Sequence, residues 1–191
     1  SQVGGKVVSM MYCLGFATDE ADSRKGCYIY AIATDPMHRG KGLARKNIEE
    51  ALVACFQRDY AYAMLIAESH SLKKWYARLG FTEVNRIVEV LGVDGMNFGL
   101  DEKSKNTAMY RIVNVRDYLR RYAKCNKEMN MTIRVKDDLL SENNGGYVIN
   151  QGYVRVETQL DLSVAIVSVS DLIALLPIDF PAKVTIERNE F

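Results

Sequence analysis

The alternation of apolar and polar residues changes period several times in the first half of the chain. Residues 7–16 and 27–34 are rich in β-forming side chains and predict two strands. The second strand ends at Asp35-Pro36, because proline has no amide hydrogen to donate to a sheet. Apolar residues then recur at steps of three and four over residues 42–58, as in an amphipathic helix. Residues 61–67 form a short apolar run with the length of a buried strand.

Two more elements complete this first group. Residues 71–79 predict a helix that ends at Gly80, where glycine serves as a C-cap. Residues 81–93 are rich in β-branched side chains and predict a further strand. Helices that alternate with strands in this way are typical of a mixed α/β sheet.

A polar stretch over residues 101–107 separates these elements from a second group. There the pattern predicts a helix over residues 115–122, a strand over residues 129–135, and an Asn-Gly turn at residues 143–146 with strands after it. Ser170 is predicted to cap a short last helix. We therefore predict two domains of the α/β (α+β) class, residues 1–108 and residues 109–191.

Composition and charge exclude several classes of protein. Hydrophobic residues make up 48% of the chain and charged residues 26%, which suits a packed globular core. The formal net charge of +1 argues against a nucleic-acid partner that depends on a broad basic face. No apolar run approaches the ~20 residues of a membrane span, and the first residues do not resemble a signal peptide. We expect no membrane span and a cytoplasmic location.

The cysteines and histidines do not form a metal-binding pattern. The four cysteines stand at positions 13, 27, 55 and 125 without a CxxC spacing, and neither histidine is near a cysteine pair. A zinc site or a disulfide framework requires such clustering. We therefore expect no metal and free thiols, with Cys55 on the apolar side of the helix over residues 42–58.

The strongest candidate for chemistry is the turn Arg39-Gly40-Lys41-Gly42-Leu43-Ala44, between the second strand and the first helix. Its two glycines let the backbone turn tightly and bring its amides against a ligand. The start of the helix adds roughly half a positive charge. Full charges come from three basic side chains, Arg39, Lys41 and Arg45. This combination predicts an anion site suited to a pyrophosphate.

Two common phosphate-binding motifs do not fit this turn. A Walker loop requires GxxxxGK followed by Ser or Thr, whereas Leu43 follows Gly42 here, and Val7 follows Gly4-Gly5-Lys6. A Rossmann turn requires GxGxxG, and Arg45 occupies the place of its third glycine. The turn by itself leaves open a plain glycine-rich start of a helix in a polar loop.

Two motifs in sequence order resemble the GNAT (GCN5-related N-acetyltransferase) superfamily. Arg39-x-x-Gly42-x-Ala44 is similar to its coenzyme A motif, and the segment from Trp75 to Phe81 is similar to its Tyr-x-x-x-Gly-Phe segment. The resemblance implies acetyl-CoA as co-substrate. It also implies that the pantetheine arm pairs with the backbone of Ile32, Ala33 and Thr34, while the pyrophosphate is held by Arg39, Gly40, Lys41, Gly42, Leu43 and Ala44.

The second half resembles the sterol-carrier-like C-terminal domain of the Eis-like (enhanced intracellular survival) acetyltransferases. The resemblance rests on residues 109–117 and 137–145. It implies a GNAT-like sheet followed by a small sterol-carrier-like domain. The strand and two helices with which the family's sheet usually begins are not predicted in this sequence. It also implies a homo-oligomer.

The same resemblance implies roles for two residues in acetyl transfer to a primary amine. Tyr76 would protonate the leaving thiolate, although an aromatic residue in a helix also serves for packing. The carboxylate of the terminal Phe191 would act as base. The amide near Ala33 is a candidate donor to the oxyanion. No cysteine has a convincing base partner, so we expect direct attack in a ternary complex rather than a covalent intermediate.

Other polar groups carry weaker expectations. His70, which follows Glu68 and Ser69, is either a base or a solvated loop residue. Asp137, Asp138 and Glu142 do not have the spacing of an EF-hand, so turn formation and solvation are expected. The rival function is a non-catalytic acyl-CoA- or lipid-binding protein.

Overall fold

A computed structural model describes residues 1–17, 25–84, 107–159, 161, 163–178 and 180, together with the backbone of residues 89–91 and 183–186. The four α-helices of this part of the chain are α1 (Leu43–Gln57), α2 (His70–Ala77), α3 (Val115–Cys125) and α4 (Val169–Leu175). Short 3-10 helices span Pro36–His38 and Ser141–Asn143. The strands are β1 (Gln2–Val3), β2 (Lys6–Val7), β3 (Ser9–Ala17), β4 (Lys25–Thr34), β5 (Tyr62–Ile66), β6 (Thr82–Glu83), β7 (Glu89–Leu91), β8 (Ala108–Ile112), β9 (Asn130–Lys136), β10 (Gly145–Asn150), β11 (Tyr153–Glu157), β12 (Ile166–Ser168) and β13 (Lys183–Ile186).

The mixed α/β class predicted from the sequence is confirmed. Seven strands form one sheet in the order β6-β8-β5-β4-β3-β13-β7. It is mixed because β4 and β5 are parallel, whereas β3 and β4, and β5 and β8, are antiparallel. A second sheet has the order β11-β10-β9-β12, and β1 and β2 form a small hairpin.

Two local predictions in the second half were wrong. Ser168, not Ser170, caps α4, since its hydroxyl accepts a hydrogen bond from the amide of Asp171 at 3.2 Å. Gly145-Gly146 lies in β10 rather than in a turn, and the chain reverses at Gln151-Gly152, where φ is 47° and 84°. Left-handed values at both central positions are typical of a two-residue hairpin.

Two later strands, β8 and β13, complete the seven-stranded sheet. β8 runs across the predicted boundary between residues 108 and 109, and it pairs with β5 and β6. β13 lies between β3 and β7 in the same sheet. The second half of the chain therefore contributes strands to the first sheet as well as forming a sheet of its own.

Helices cover the two faces of the large sheet differently. On one face α1 and α2 bury Ile48, Leu52 and Tyr76 against the strands. On the other face α3, α4 and the second sheet pack over the strands, with Tyr118 and Leu119 of α3 fully buried. Among the described residues no helix is long and apolar enough to cross a membrane.

A buried ion pair joins the two sheets. Arg111 of β8 donates to Asp137 at 2.5 Å, and both side chains are only 1% exposed. Arg111 also donates to the carbonyls of Leu79 and Ile112, each at 2.8 Å. Asp137 accepts from the amides of Leu139 and Leu140 and from the side chain of Asn143. The turn predicted at Asp137 is present, but solvation of this carboxylate was the wrong expectation, because it is buried against a charge.

Candidate active site

The glycine turn opens α1 in the manner that the sequence predicts. Gly40 and Gly42 have φ of 75° and 76°, a left-handed conformation that side chains with a Cβ rarely adopt. Gly42 is the N-cap residue of α1, and no side chain caps the helix there. A Cβ added at either glycine would meet nothing within 4 Å, so the space over the turn is open. The turn therefore leaves open space beside the uncapped start of α1.

The basic side chains around the turn differ in how freely they can meet an anion. Arg45 donates to Glu49 at 2.7 Å, and Lys46 lies 3.7 Å from Glu50, so both cations face carboxylates on α1. Arg39 is exposed, and its Nε donates to the carbonyl of Thr34 at 3.2 Å. Lys41 is exposed as well. Arg39 and Lys41 are therefore the cations of the turn best placed for a phosphate.

Two parallel strands separate beside this turn. β4 and β5 pair from Gly26 with Tyr62 to Tyr28 with Met64. Within the described residues no pair between them follows Tyr28, although β4 continues along β3 to Thr34. The edge of β4 that faces away from β3 therefore has no pairing with β5 over Ile32, Ala33 and Thr34. This is the segment to which the family resemblance assigns the pantetheine arm.

A bulge reshapes β4 at the same place, and sequence analysis missed it. Met10 pairs with Ala33 and Tyr12 with Tyr30, so a single residue of β3 faces Ala31 and Ile32 of β4. Ala31 has φ of 50°, which is unfavourable for a residue with a Cβ. Nothing in an apolar β-forming run marks alanine as a bulge residue. The irregularity redirects the backbone just before the separated edge.

A buried polar cluster under α1 is a second feature that the sequence did not reveal. Asn47 is 8% exposed on α1 and donates to the hydroxyl of Ser9 at 3.1 Å. Ser9 in turn donates to the carbonyl of Ala33 at 3.2 Å and lies 3.0 Å from the hydroxyl of Thr34. A polar residue in an amphipathic helix is expected on its solvated face. The contacts of Asn47 instead fix α1, and with it the glycine turn, relative to the end of β4.

Tyr76 combines a buried ring with an available hydroxyl. The ring packs edge-on against Trp75 at 4.9 Å and Phe81 at 6.0 Å, and the residue is 7% exposed. It shares a core cluster with Ile29 and Leu65, next to the separation of β4 and β5. Its hydroxyl makes no hydrogen bond to any side chain or backbone group that the structure describes. Burial raises the pKa of Tyr76, and the Glu68 carboxylate raises it further.

The structure describes some of the remaining predicted residues but not all of them. Phe191 lies outside the described residues, so its proposed role stays a prediction. Ser69 is the N-cap of α2 and accepts from the amide of Leu72 at 3.3 Å, which gives it a structural role. His70 is exposed in the first turn of α2. The described residues contain no group of three or more His, Cys, Asp or Glu side chains arranged to hold a metal ion.

Comparison with known families agrees with the two motifs. Residues 8–101 match the profile of the family described as acetyltransferase (GNAT) domain. This part of the chain is therefore similar to acetyltransferase domains of the GNAT type. No curated protein sequence matches the chain significantly.

Solved structures show that the GNAT-like fold extends over both halves of the chain. Eis1 from Mycobacterium abscessus is similar with a TM-score of 0.63 at 11% identity, over 92% of this chain and 78% of that one. A GCN5-related N-acetyltransferase from Anabaena variabilis gives a TM-score of 0.64 at 12% identity, over 91% and 78%. A probable N-acyltransferase from Enterococcus faecalis gives 0.65 at 11% identity, over 88% and 76%. At such identities the likeness establishes the fold alone.

Proposed function

We propose that this chain is an N-acetyltransferase that moves the acetyl group of acetyl-CoA to a primary amine by direct attack in a ternary complex. The observation that carries the proposal is the uncapped start of α1 at Gly40 and Gly42, beside the separated edge of β4. Both lie within the residues that match a GNAT domain. A pyrophosphate would accept hydrogen bonds from the first amides of α1 and would face Arg39 and Lys41. The pantetheine arm would lie along Ile32, Ala33 and Thr34.

The proposed chemistry combines two bond changes with two proton transfers. The lone pair of a neutral amine attacks the thioester carbonyl carbon, and the carbonyl oxygen becomes an oxyanion that accepts from a backbone amide near Ala33. Collapse of this intermediate breaks the carbon–sulfur bond and leaves the acetyl group on the amine. The departing thiolate takes a proton from the Tyr76 hydroxyl. The amine loses its extra proton to the base, and Tyr76 regains its own from solvent.

Tyr76 is suited to the acid role because its hydroxyl is protonated at neutral pH. An ordinary tyrosine has a pKa of ~10 and an ordinary thiol ~8.5, so the transfer is uphill by roughly 2 kcal/mol. Burial raises the pKa of Tyr76 and widens this gap. The same dry surroundings would raise the pKa of the departing thiol, because desolvation disfavours its anion too. The proposal therefore requires the sulfur to leave in the buried space next to the tyrosine.

The amine needs a base because it is mostly protonated at neutral pH. Holding a lysine-like amine neutral at pH 7 costs roughly 4–5 kcal/mol in water. We assign this role to the Phe191 carboxylate, as the family resemblance implies. The proposal further includes a sterol-carrier-like second domain over residues 109–191, a homo-oligomer and a cytoplasmic location.

Acetyl-CoA titration followed by thiol release with a panel of amines tests the activity. Binding at micromolar concentration with turnover supports the proposal. If acetyl-CoA fails to bind even at millimolar concentration, the assignment of the turn is wrong. Binding without turnover for any amine favours the rival, a non-catalytic acyl-CoA-binding protein.

Replacement of Gly42 by alanine is expected to weaken acetyl-CoA binding about tenfold. The Cβ is disfavoured at φ of 76° by about 1–2 kcal/mol, so the turn should relax away from the conformation that presents its amides. Gly152→Ala is the matched control, since φ there is 84° in a hairpin of the second sheet. Calorimetric titration should show the loss for Gly42→Ala only. Equal affinities for the two variants would remove the turn from the binding site.

Extension of the chain by a few glycines after Phe191 is expected to lower kcat by about 100-fold while acetyl-CoA affinity stays unchanged. The extension removes a carboxylate from the position that the base would occupy, but it leaves α1 and β4 untouched. Thiol release at saturating amine measures kcat, and calorimetry measures the affinity. An unchanged kcat would show that the terminal carboxylate takes no proton.

A further inference from the structure

β11 (Tyr153–Glu157) lies at one edge of the second sheet, and its outer side is open. Among the strands that the structure describes, it pairs only with β10. Val156 of this strand is 47% exposed, although valine is among the residues most often buried. It lies on the face of the sheet that α3 covers, since it stands opposite the buried Tyr147 of β10. The helix therefore leaves space over Val156 at the open edge.

The hairpin turn decides which residues of β11 direct their backbone groups outward. The chain reverses at Gln151-Gly152, so Asn150 and Tyr153 flank a two-residue loop. Residues in this position exchange both of their backbone hydrogen bonds, and the direction of the backbone groups alternates from there along the strand. Val154 and Val156 therefore direct their amides and carbonyls toward the open edge. An edge of this kind is a template for a second strand.

The exposed valine stands between two opposite charges. Arg155 and Glu157 project from the other face of the sheet and form an ion pair at 3.0 Å, in which the arginine side chain is 70% exposed. The sequence Arg-Val-Glu exchanges its charges when it is read backwards. Two antiparallel copies of it are therefore complementary. When Val156 stands opposite the Val156 of a second copy, each Arg155 stands opposite a Glu157.

The same charges oppose the neighbouring registers. A slide of two residues in one direction places Arg155 opposite the Arg155 of the other copy. An equal slide in the other direction places Glu157 opposite Glu157. Like charges that are directly opposed across strands are destabilising, whereas opposite charges contribute roughly 0.2–1 kcal/mol a pair. A slide of one residue would turn the charged face of one copy to the apolar face of the other. The register centred on Val156 is the one that matches both charges.

We propose that two copies of this chain join antiparallel through β11, on a two-fold axis at Val156. The two four-stranded sheets then form one continuous sheet. Each Val156 amide donates to the Val156 carbonyl of the other copy, and each Arg155 is shared between the two Glu157 carboxylates. The contact uses the same surface on both copies and closes on itself, as a two-fold interface does. The inference specifies one interface of the proposed homo-oligomer and rests on that part of the proposed function alone.

Sedimentation velocity over a concentration series tests the charge match. The unchanged protein should shift from monomer to dimer between micromolar and millimolar concentration, because pairing of one short strand buries less than the ~800 Å² per partner of a stable interface. Arg155→Glu places like charges opposite each other twice and should raise the dissociation constant at least about tenfold. The double variant Arg155→Glu with Glu157→Arg exchanges the two charges and should restore the dimer. It is the matched control for any effect on folding.

Cross-linking locates the axis independently of charge. In a Cys125→Ser background, which removes an exposed thiol, Val156→Cys should give a disulfide-linked dimer with copper phenanthroline. The two Cα atoms of such a pair lie about 5.5 Å apart, within the range of a disulfide. Tyr153→Cys is the control, since Tyr153 is 80% exposed on the same strand. Its two copies would be about 20 Å apart along the joined strands and should not link.

Three results would each overturn the proposal. The first is an unchanged protein that stays monomeric throughout the concentration series. The second is sedimentation that Arg155→Glu does not alter, or that the double variant does not restore. The third is cross-linking at Tyr153→Cys as efficient as at Val156→Cys. None of these measurements involves acetyl-CoA, so their failure is separate from failure of the acetyltransferase assays.

Discussion

The variant Tyr76→Phe is expected to turn over acetyl-CoA at least about 100-fold more slowly than the unchanged protein, with acetyl-CoA affinity within about twofold. Phenylalanine keeps the edge-on packing against Trp75 and Phe81, so the loss isolates the hydroxyl. Without it the departing thiolate must take its proton from water. Thiol release at saturating amine gives kcat, and calorimetric titration gives the affinity.

A second tyrosine provides the control for this change. Tyr153 is 80% exposed on β11 in the second sheet, and Tyr153→Phe should leave kcat unchanged. The pH profile adds an independent readout. Burial and Glu68 raise the pKa of Tyr76 above that of an ordinary tyrosine. Deprotonation of its hydroxyl should therefore lower kcat only above about pH 10. A Tyr76→Phe variant as active as the Tyr153→Phe control would assign Tyr76 to packing alone.

The variant Asp137→Ala is expected to lower the free energy of unfolding by about 3–5 kcal/mol, the loss measured when one partner of a buried ion pair is removed. Arg111 would keep its charge at 1% exposure without the carboxylate. The amides of Leu139 and Leu140 would also lose their acceptor. Urea unfolding followed by circular dichroism measures the change.

The neighbouring residue is a matched control. Asp138 has a side chain 77% exposed, 3.4 Å from Lys136, and surface pairs of this kind contribute at most about 1 kcal/mol. The free energy of unfolding of Asp138→Ala should therefore lie within about 0.5 kcal/mol of that of the unchanged protein. Similar losses for the two variants would mean that the Arg111–Asp137 pair does not stabilise the contact between the sheets.

Local periodicity was enough to predict most elements of the first half. The helix predicted over residues 42–58 is α1, Leu43–Gln57, because its apolar stripe packs on the sheet as the 3.6-residue period requires. The glycine turn was predictable too, since Gly40 and Gly42 meet a backbone requirement that few residues satisfy. The motif around Tyr76 singled out a residue that belongs to the same core cluster as Ile29 of β4 and Leu65 of β5.

Features that depend on distant partners could not be predicted. Asp137 looked like a solvated turn residue because nothing near it in sequence indicates that Arg111 would face it. Asn47 and Ser9 meet only after α1 packs on β3. The bulge at Ala31 depends on the pairing register between β3 and β4, which the sequence of either strand alone does not specify.

The position of β13 has a consequence for how the chain reaches this fold during synthesis. Thr185 pairs with Ala17, so β3 receives its outer neighbour only after residue 185 has left the ribosome. Contacts of such long sequence separation slow folding, because the loop between them must be ordered first. Until then the outer edge of β3 is an unfinished sheet edge, of the kind that pairs readily with other chains. We therefore expect nascent chains halted before β13 to be the aggregation-prone species of this protein.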